Sequence, residues 1–212
     1  MNRTVASSLA GLAFLLVTAA TVPAAVPSPA NCTLPDCMVL CPLGDIPFTV
    51  VVRGVGNIPI AGSTVVLDLS GCPAAYICPY AFPAYTTDLA ARTLTLSTDA
   101  SGTATFPGHV GGTGPAGCAK VFADGVLLRS YALASPDQDG NGFTYTVIDT
   151  GDVPPFTAKL GTADPTADLD CDGGLVDADD QAIFYRHASV GCLGFVDPVL
   201  HRSWGALKQH YR

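Results

Sequence analysis

The chain has 212 residues, a formal net charge of −8, 49% hydrophobic residues and only 13% charged ones. All 18 acidic residues are Asp; eleven of them fall between Asp137 and Asp180, where Lys159 is the one basic residue. A local acidic stretch in a weakly charged chain excludes a nucleic-acid-binding surface and marks a boundary within one or two domains.

Residues 1–24 read as an export signal. Arg3 precedes the apolar run "LAGLAFLLVTAATV", and the small residues and prolines of "PAAVPSPA" follow. That order is the secretory pattern, with cleavage expected after Ala24 or Ala30. The run is shorter than the roughly 20 residues of a membrane-spanning helix. A secreted or cell-surface protein with no membrane span after cleavage is therefore expected.

Residues 25–44 form a Cys-containing segment. Eight cysteines in an exported chain imply disulfides. Cys32, Cys37, Cys41, Cys72, Cys78 and Cys118 lie in the first part; Cys171 and Cys192 lie in the last. This division allows closed pairing within each part, with a Cys171–Cys192 bridge pinning a helix onto a loop. Cys37 and Cys41 stand at a zinc-like spacing, but no second close pair or His is near enough in sequence to complete such a site.

Residues 45–135 alternate strands and turns. "FTVVVRGV", "STVVLDLSG", "RTLTLSTD", "TATFPG" and "AKVFADGVLLRSYAL" read as strands from their β-branched and alternating apolar residues. "ASG" between Asp99 and Thr103 reads as a tight turn on Gly102. Asp124-Gly125 between two apolar runs is a hairpin signal. Strands at this spacing predict an antiparallel β-sandwich. "GNIPIAGSTVVLDLSG" followed by "STDASGTATF" resembles bacterial Ig-like modules of the invasin and carboxypeptidase-regulatory types, which implies an Ig-like fold. Pro73 to Ala91 is expected to be a long loop pinned by a bridge. Tyr76, Tyr80, Phe82 and Tyr85 cluster there, which raises a carbohydrate-binding platform as an alternative function.

Residues 136–192 carry the acidic stretch. In "DLDCDGGLVDADD", Asp168, Asp170 and Asp172 alternate and Gly173 follows. This is the opening of a D-x-D-x-D-G calcium loop, in which alternate carboxylates aim at one hard cation and the Gly permits the turn. Treating Gly174 as one inserted residue puts Val176 at position 8, Asp177 at position 9 and Asp180 at the closing position 12. A second copy precedes it. "DQDGNG" offers Asp137, Asp139 and Asn141 with Gly142, and "VIDTGD" offers Ile148, Asp149 and Asp152, matching Val176, Asp177 and Asp180. The helix after the first copy begins "VPPFTAKLG", where the prolines fit only a first turn.

Two loop–helix copies joined by "GTADPTA", each closing on Asp in a chain without Glu, resemble a dockerin type I module. The resemblance implies bound Ca2+, an EF-hand-like loop and a cohesin-like extracellular partner. The residues before each closing Asp, Thr150-Gly151 and Ala178-Asp179, depart from the family pattern at positions that in dockerins contact cohesin.

The tail, residues 193–212, places Leu200, Trp204, Leu207 and Tyr211 on one face of a helix. The four histidines form no Ser-His-Asp or Cys-His order, and His187 borders the buried face of the second helix, where a hydrogen-bonded His is expected rather than a ligand. No catalytic residues are expected. The fold class expected is mainly β with a small α module: an Ig-like antiparallel β-sandwich followed by a dockerin-like loop–helix pair. Calcium-dependent extracellular assembly or surface attachment is the function expected, with a calcium-stiffened spacer as a further alternative.

Overall fold

Strands of alternating burial build the sheets of this protein. A computed structural model describes residues 25–78, 85–141 and 148–188. The expected signal, the C-terminal helix, Tyr80, Phe82, Gly142 and Cys192 lie outside these residues.

The elements are β1 (Met38–Val39), β2 (Phe48–Val51), β3 (Thr64–Asp68), β4 (Tyr76–Ile77), β5 (Thr86–Asp88), β6 (Thr93–Ser97), β7 (Thr103–Phe106), β8 (Val110–Gly111), β9 (Gly114–Ala123), β10 (Val126–Ala134), α1 (Val153–Thr157) and α2 (Ala178–Arg186). The protein is mainly β with a small two-helix module. Six strands form one sheet in the order β1-β10-β9-β3-β6-β5; β2-β7 and β4-β8 are separate two-stranded sheets.

All five predicted strand runs form strands. The β2–β7 pair buries Phe48, Val50, Ala104 and Phe106 while turning Thr49 and Thr105 outward, where their hydroxyls meet at 3.0 Å. That buried face shares one core with Val65, Leu67, Leu94, Val121 and Leu133 of the large sheet. Phe48 meets Tyr131 edge to face across the core at 5.7 Å. The period of two along each strand makes this packing possible, because alternate residues of these strands put apolar side chains on the core face.

The turns follow their residues. Ala123 pairs with Val126, and between them Asp124 (φ 47°) and Gly125 (φ 80°) take the left-handed conformations of a two-residue hairpin. The Asp124 carboxylate also accepts from the Ser63 hydroxyl and the Thr64 amide, each at 2.8 Å, which ties the hairpin to the start of β3. The "ASG" turn forms with Gly102 at φ 77°. Its two flanking strands do not pair with each other: β6 lies on β3 and β7 on β2, so the turn carries the chain between sheets.

Three expectations need correcting. Pro73 to Ala91 is not one long loop, because β4 and β5 lie within it. The large sheet is mixed, not antiparallel throughout, because β1 from the Cys-containing segment adds to its edge parallel to β10, Met38 opposite Leu133. The cysteines do not pair within each part of the chain. Cys72 bridges Cys118 on β9, but Cys171 bridges Cys37, 134 positions away in sequence with Cα atoms 5.6 Å apart, so the expected Cys171–Cys192 bond does not form. The physical reason is the folding back of the acidic region onto the N-terminal segment. Val39 and Ala134 bury against Phe156, Leu169, Val176 and Phe184 in a second core. Phe156 of α1 and Phe184 of α2 stack there at 4.3 Å. Ile148 joins Cys41, Tyr76 and Cys78 in a third cluster. Among the described residues no helix is long and apolar enough to cross a membrane.

Candidate metal centre

A carboxylate buried without a counter-charge is costly, so the arrangement of the acidic loops is informative. Asp180 is 1% exposed and Asp152 is fully buried. In the second loop, Asp180 Oδ1 accepts from the amides of Leu169 (2.5 Å) and Asp170 (3.2 Å), and Oδ2 accepts from the amide of Asp177 (2.9 Å). In the first loop, Asp152 Oδ1 accepts from Gln138 (2.6 Å) and Asp139 (3.0 Å), and Oδ2 from Asp149 (2.8 Å). The closing Asp therefore makes the same three bonds to the same three loop positions in both copies. This fixes the register that equates Asp149 with Asp177 and Asp152 with Asp180.

The likeness continues along the loop. Asp139 accepts from the Asn141 amide and Asp170 from the Asp172 amide; Asp149 accepts from Gly151 and Asp177 from Asp179. The fourth loop position is left-handed in both copies. It is Gly140 (φ 67°) in the first and Cys171 (φ 63°) in the second. A non-Gly residue pays a steric cost there, and the bridge to Cys37 holds it in place. Gly173 takes φ 72°, as the loop's sharp turn requires.

The two helices start on these loops. Asp177 caps α2 and Asp180 reaches back to the Asp177 amide, forming a capping box. Pro154 and Pro155 lie in the first turn of the five-residue α1. The position-8 residues diverge. Val176 exchanges backbone bonds with Gly161 and Thr162 inside the second core, while Ile148 lies in the third cluster.

Of the ten predicted ligands, the fold brings oxygens of Asp137, Asp139 and Asp152 within 4.8 Å of one another, and likewise those of Asp168, Asp170 and Asp180. Four carboxylate or amide groups stand outside these trios and are engaged in local hydrogen bonds. The Asn141 amide donates to Asp139 and Asp172 accepts from Gly174, while Asp149 and Asp177 hold the turn and cap described above.

The electrostatics favour a cation. Burial pushes the Asp137 carboxyl up to about 7, and repulsion from Asp152 adds to this against a hydrogen bond from Tyr76. Burial also raises Asp152, against its three amide donors. Asp170 is raised by partial burial and by the charges of Asp180, Asp172 and Asp168. Lys159 does not supply the missing positive charge: its ammonium donates to Gln138 (2.7 Å) and Thr166 (2.6 Å) and lies 4.0 Å from Asp164. Oδ1 of Asp168, a member of the second trio, is buried with no hydrogen-bond partner. An orphaned carboxylate oxygen among two other carboxylates is the donor set that a divalent metal ion fits. Both trios could coordinate such an ion.

No protein-family model matches the chain, and neither a curated protein nor a solved structure is significantly similar to it.

The aromatic loop does not form an exposed platform from its described members: Tyr76 and Tyr85 are 9% and 8% exposed. Sequence reasoning missed one grouping of potential ligands, Cys41, Asp45 and His187, whose ligand atoms lie within 4.8 Å of one another. Asp45 and His187 stand 142 positions apart, and no signal in the sequence joins them.

Proposed function

We propose that this is a secreted, non-enzymatic calcium-binding protein in which an Ig-like β-sandwich carries a dockerin-like module for extracellular assembly or surface attachment. The observation that carries the reading is the repeated set of three amide bonds around Asp152 and Asp180, which holds two trios of carboxylates in the same way. All-oxygen trios on Gly-containing loops suit calcium, which takes six to eight oxygens at about 2.3–2.6 Å; Asn141, Asp149, Asp172 and Asp177 stand close enough in sequence to add ligands. Ion binding would offset the repulsion within each trio and so couple calcium to the order of the module.

Two further observations support the extracellular part. Disulfides join Cys37 to Cys171 and Cys72 to Cys118, as suits an oxidising compartment. Ser28 donates to Arg53 and Thr33 pairs with Val51, so residues 28–33 belong to the fold, and cleavage after Ala24 would preserve them. Thr150, Gly151, Ala178 and Asp179, the positions that select partners in dockerins, are all exposed and available to an extracellular protein partner of the cohesin kind.

Calorimetric titration of the oxidised protein tests the metal, with two calcium ions expected per chain and one in each of Asp152→Ala and Asp180→Ala. A pull-down from extracellular material with and without calcium tests assembly. Absence of calcium uptake by the wild type refutes the first, and equal recovery in both conditions refutes the second.

A further inference from the structure

The third ligand group differs in kind from the aspartate loops. It combines a thiol, an imidazole and a carboxylate. Cys41 and His187 are both fully buried, and Asp45 keeps 40% of its side chain exposed. A turn closed by the Gly44 amide on the Cys41 carbonyl (2.8 Å) brings Asp45 back beside Cys41. His187 arrives from the C-terminal end of α2, where it is the capping residue. The three ligand atoms lie within 4.8 Å of one another.

The histidine supplies a second observation. Its Nδ1 lies 2.7 Å from the Ile183 carbonyl, and its Nε2 lies 3.0 Å from both Oδ1 and Oδ2 of Asp45. A carbonyl and a carboxylate are acceptors only. The ring therefore carries either two protons, or one proton on Nδ1 and a cation at Nε2. The bond from Nδ1 to a backbone carbonyl is the device by which metal-ligating histidines fix their tautomer and orient the other nitrogen. The Cys41 sulfur beside that nitrogen decides the kind of cation. Calcium and magnesium take oxygen ligands, whereas mixed sulfur, nitrogen and oxygen sets select zinc and its neighbours. Cys41 is also a free thiol in a chain that bridges Cys37 to Cys171 and Cys72 to Cys118.

We propose that Cys41, Asp45 and His187 form a zinc-class transition-metal site that clasps the end of α2 to the N-terminal segment, independently of the calcium loops. Three protein ligands leave one tetrahedral position for water, and exposed Asp45 gives the ion its way in. Burial pushes the Cys41 thiol up to about 12, so the ion must displace its proton on binding. The clasp lies on the same seam as the Cys37–Cys171 bridge and fastens the helical module at a second point.

The test uses the full chain, oxidised, stripped of metal and then saturated with calcium so that the oxygen sites are filled. Titration with Co(II) should saturate at one equivalent, with a thiolate-to-cobalt charge-transfer band in the near ultraviolet and visible bands of tetrahedral intensity. Zn(II) should abolish both. Cys41→Ser should lose the charge-transfer band, and Cys32→Ser, which changes the other free thiol among the described residues, should keep it. Should Cys41→Ser fail to fold, His187→Asn takes its place and should lose the tetrahedral bands. No charge-transfer band in the wild type, or a band that survives Cys41→Ser or disappears in Cys32→Ser, overturns the proposal. Because calcium is saturating throughout, the cobalt result does not depend on whether the aspartate loops bind it.

Discussion

Asp180→Ala removes one side chain that three backbone amides depend on, and its cost can be worked from their surroundings. Hydrogen bonds to a charged acceptor contribute about 1.5–3 kcal/mol each, and a donor left buried without a partner costs about 1–3 kcal/mol. The three do not add in full. Leu169 is 3% exposed, so its amide finds no water, whereas Asp170 and Asp177 are exposed and their amides can be rehydrated. The bond to the Asp177 amide is the capping-box contact, and its loss accounts for about 1 kcal/mol of the total. A destabilisation of about 3–4 kcal/mol is expected in metal-free protein, within the range of lost buried networks. Asp179→Ala is the control. Asp179 is exposed in the first turn of α2, so its loss should cost about 0.5 kcal/mol or less. Urea unfolding of both variants in chelator measures the difference, and hydrogen exchange at the Leu169 amide localises it. An Asp179→Ala variant as unstable as Asp180→Ala would refute the register and the reasoning built on it.

Three further outcomes are expected. In metal-free protein the raised Asp137 carboxyl, at about 7, binds a proton that the unfolded chain releases near pH 4. Its contribution to stability is therefore complete below about pH 4 and lost as pH rises through about 7. Melting in chelator should shift downward between pH 5 and pH 8, and an upward shift would contradict the assignment. Breaking the Cys37–Cys171 bridge by Cys37→Ser opens a loop of 134 residues, which by chain entropy should cost about 5 kcal/mol; non-reducing peptide mapping should find residues 37 and 171 joined, and a 171–192 peptide would refute the pairing. Asp124→Ala should cost about 1–2 kcal/mol, because it removes two hydrogen bonds and forces alanine into a left-handed turn, measured as a lower urea midpoint at unchanged slope.

What was legible in the sequence is what neighbouring residues decide among themselves. Asp124-Gly125 marks its hairpin because two left-handed residues are needed side by side. The loop register was readable because an Asp that caps a helix and an Asp that closes a loop must stand at fixed spacing. Pro154 and Pro155 likewise announced the first turn of α1. Pairings that depend on distant residues left no trace. The two-residue strand at Met38–Val39 is too short to show a period, and its parallel seat on β10 depends on residues nearly a hundred positions away. The turn at Gly102 was plain, but nothing local says that β7 leaves β6 to pair with β2. Cys171 sits between two loop aspartates whose chemistry explains themselves, and its partner is chosen by where the N-terminal segment lies. Cys41 stands at a zinc-like spacing from Cys37, but Cys37 goes to a disulfide, and Cys41, Asp45 and His187 become a group only when α2 ends beside residues 41–45.

The central claim is that aspartate oxygens in two loops gather a calcium ion each and that the module's stability depends on it. A calorimetric scan of the oxidised full chain, in chelator and after calcium is restored, tests it most directly. An ion at a hundred times its dissociation constant stabilises by about 2.7 kcal/mol per site, so the transition should rise by roughly 5–10 °C for each site filled. Superimposable scans, with no calcium taken up on its return, would contradict the account.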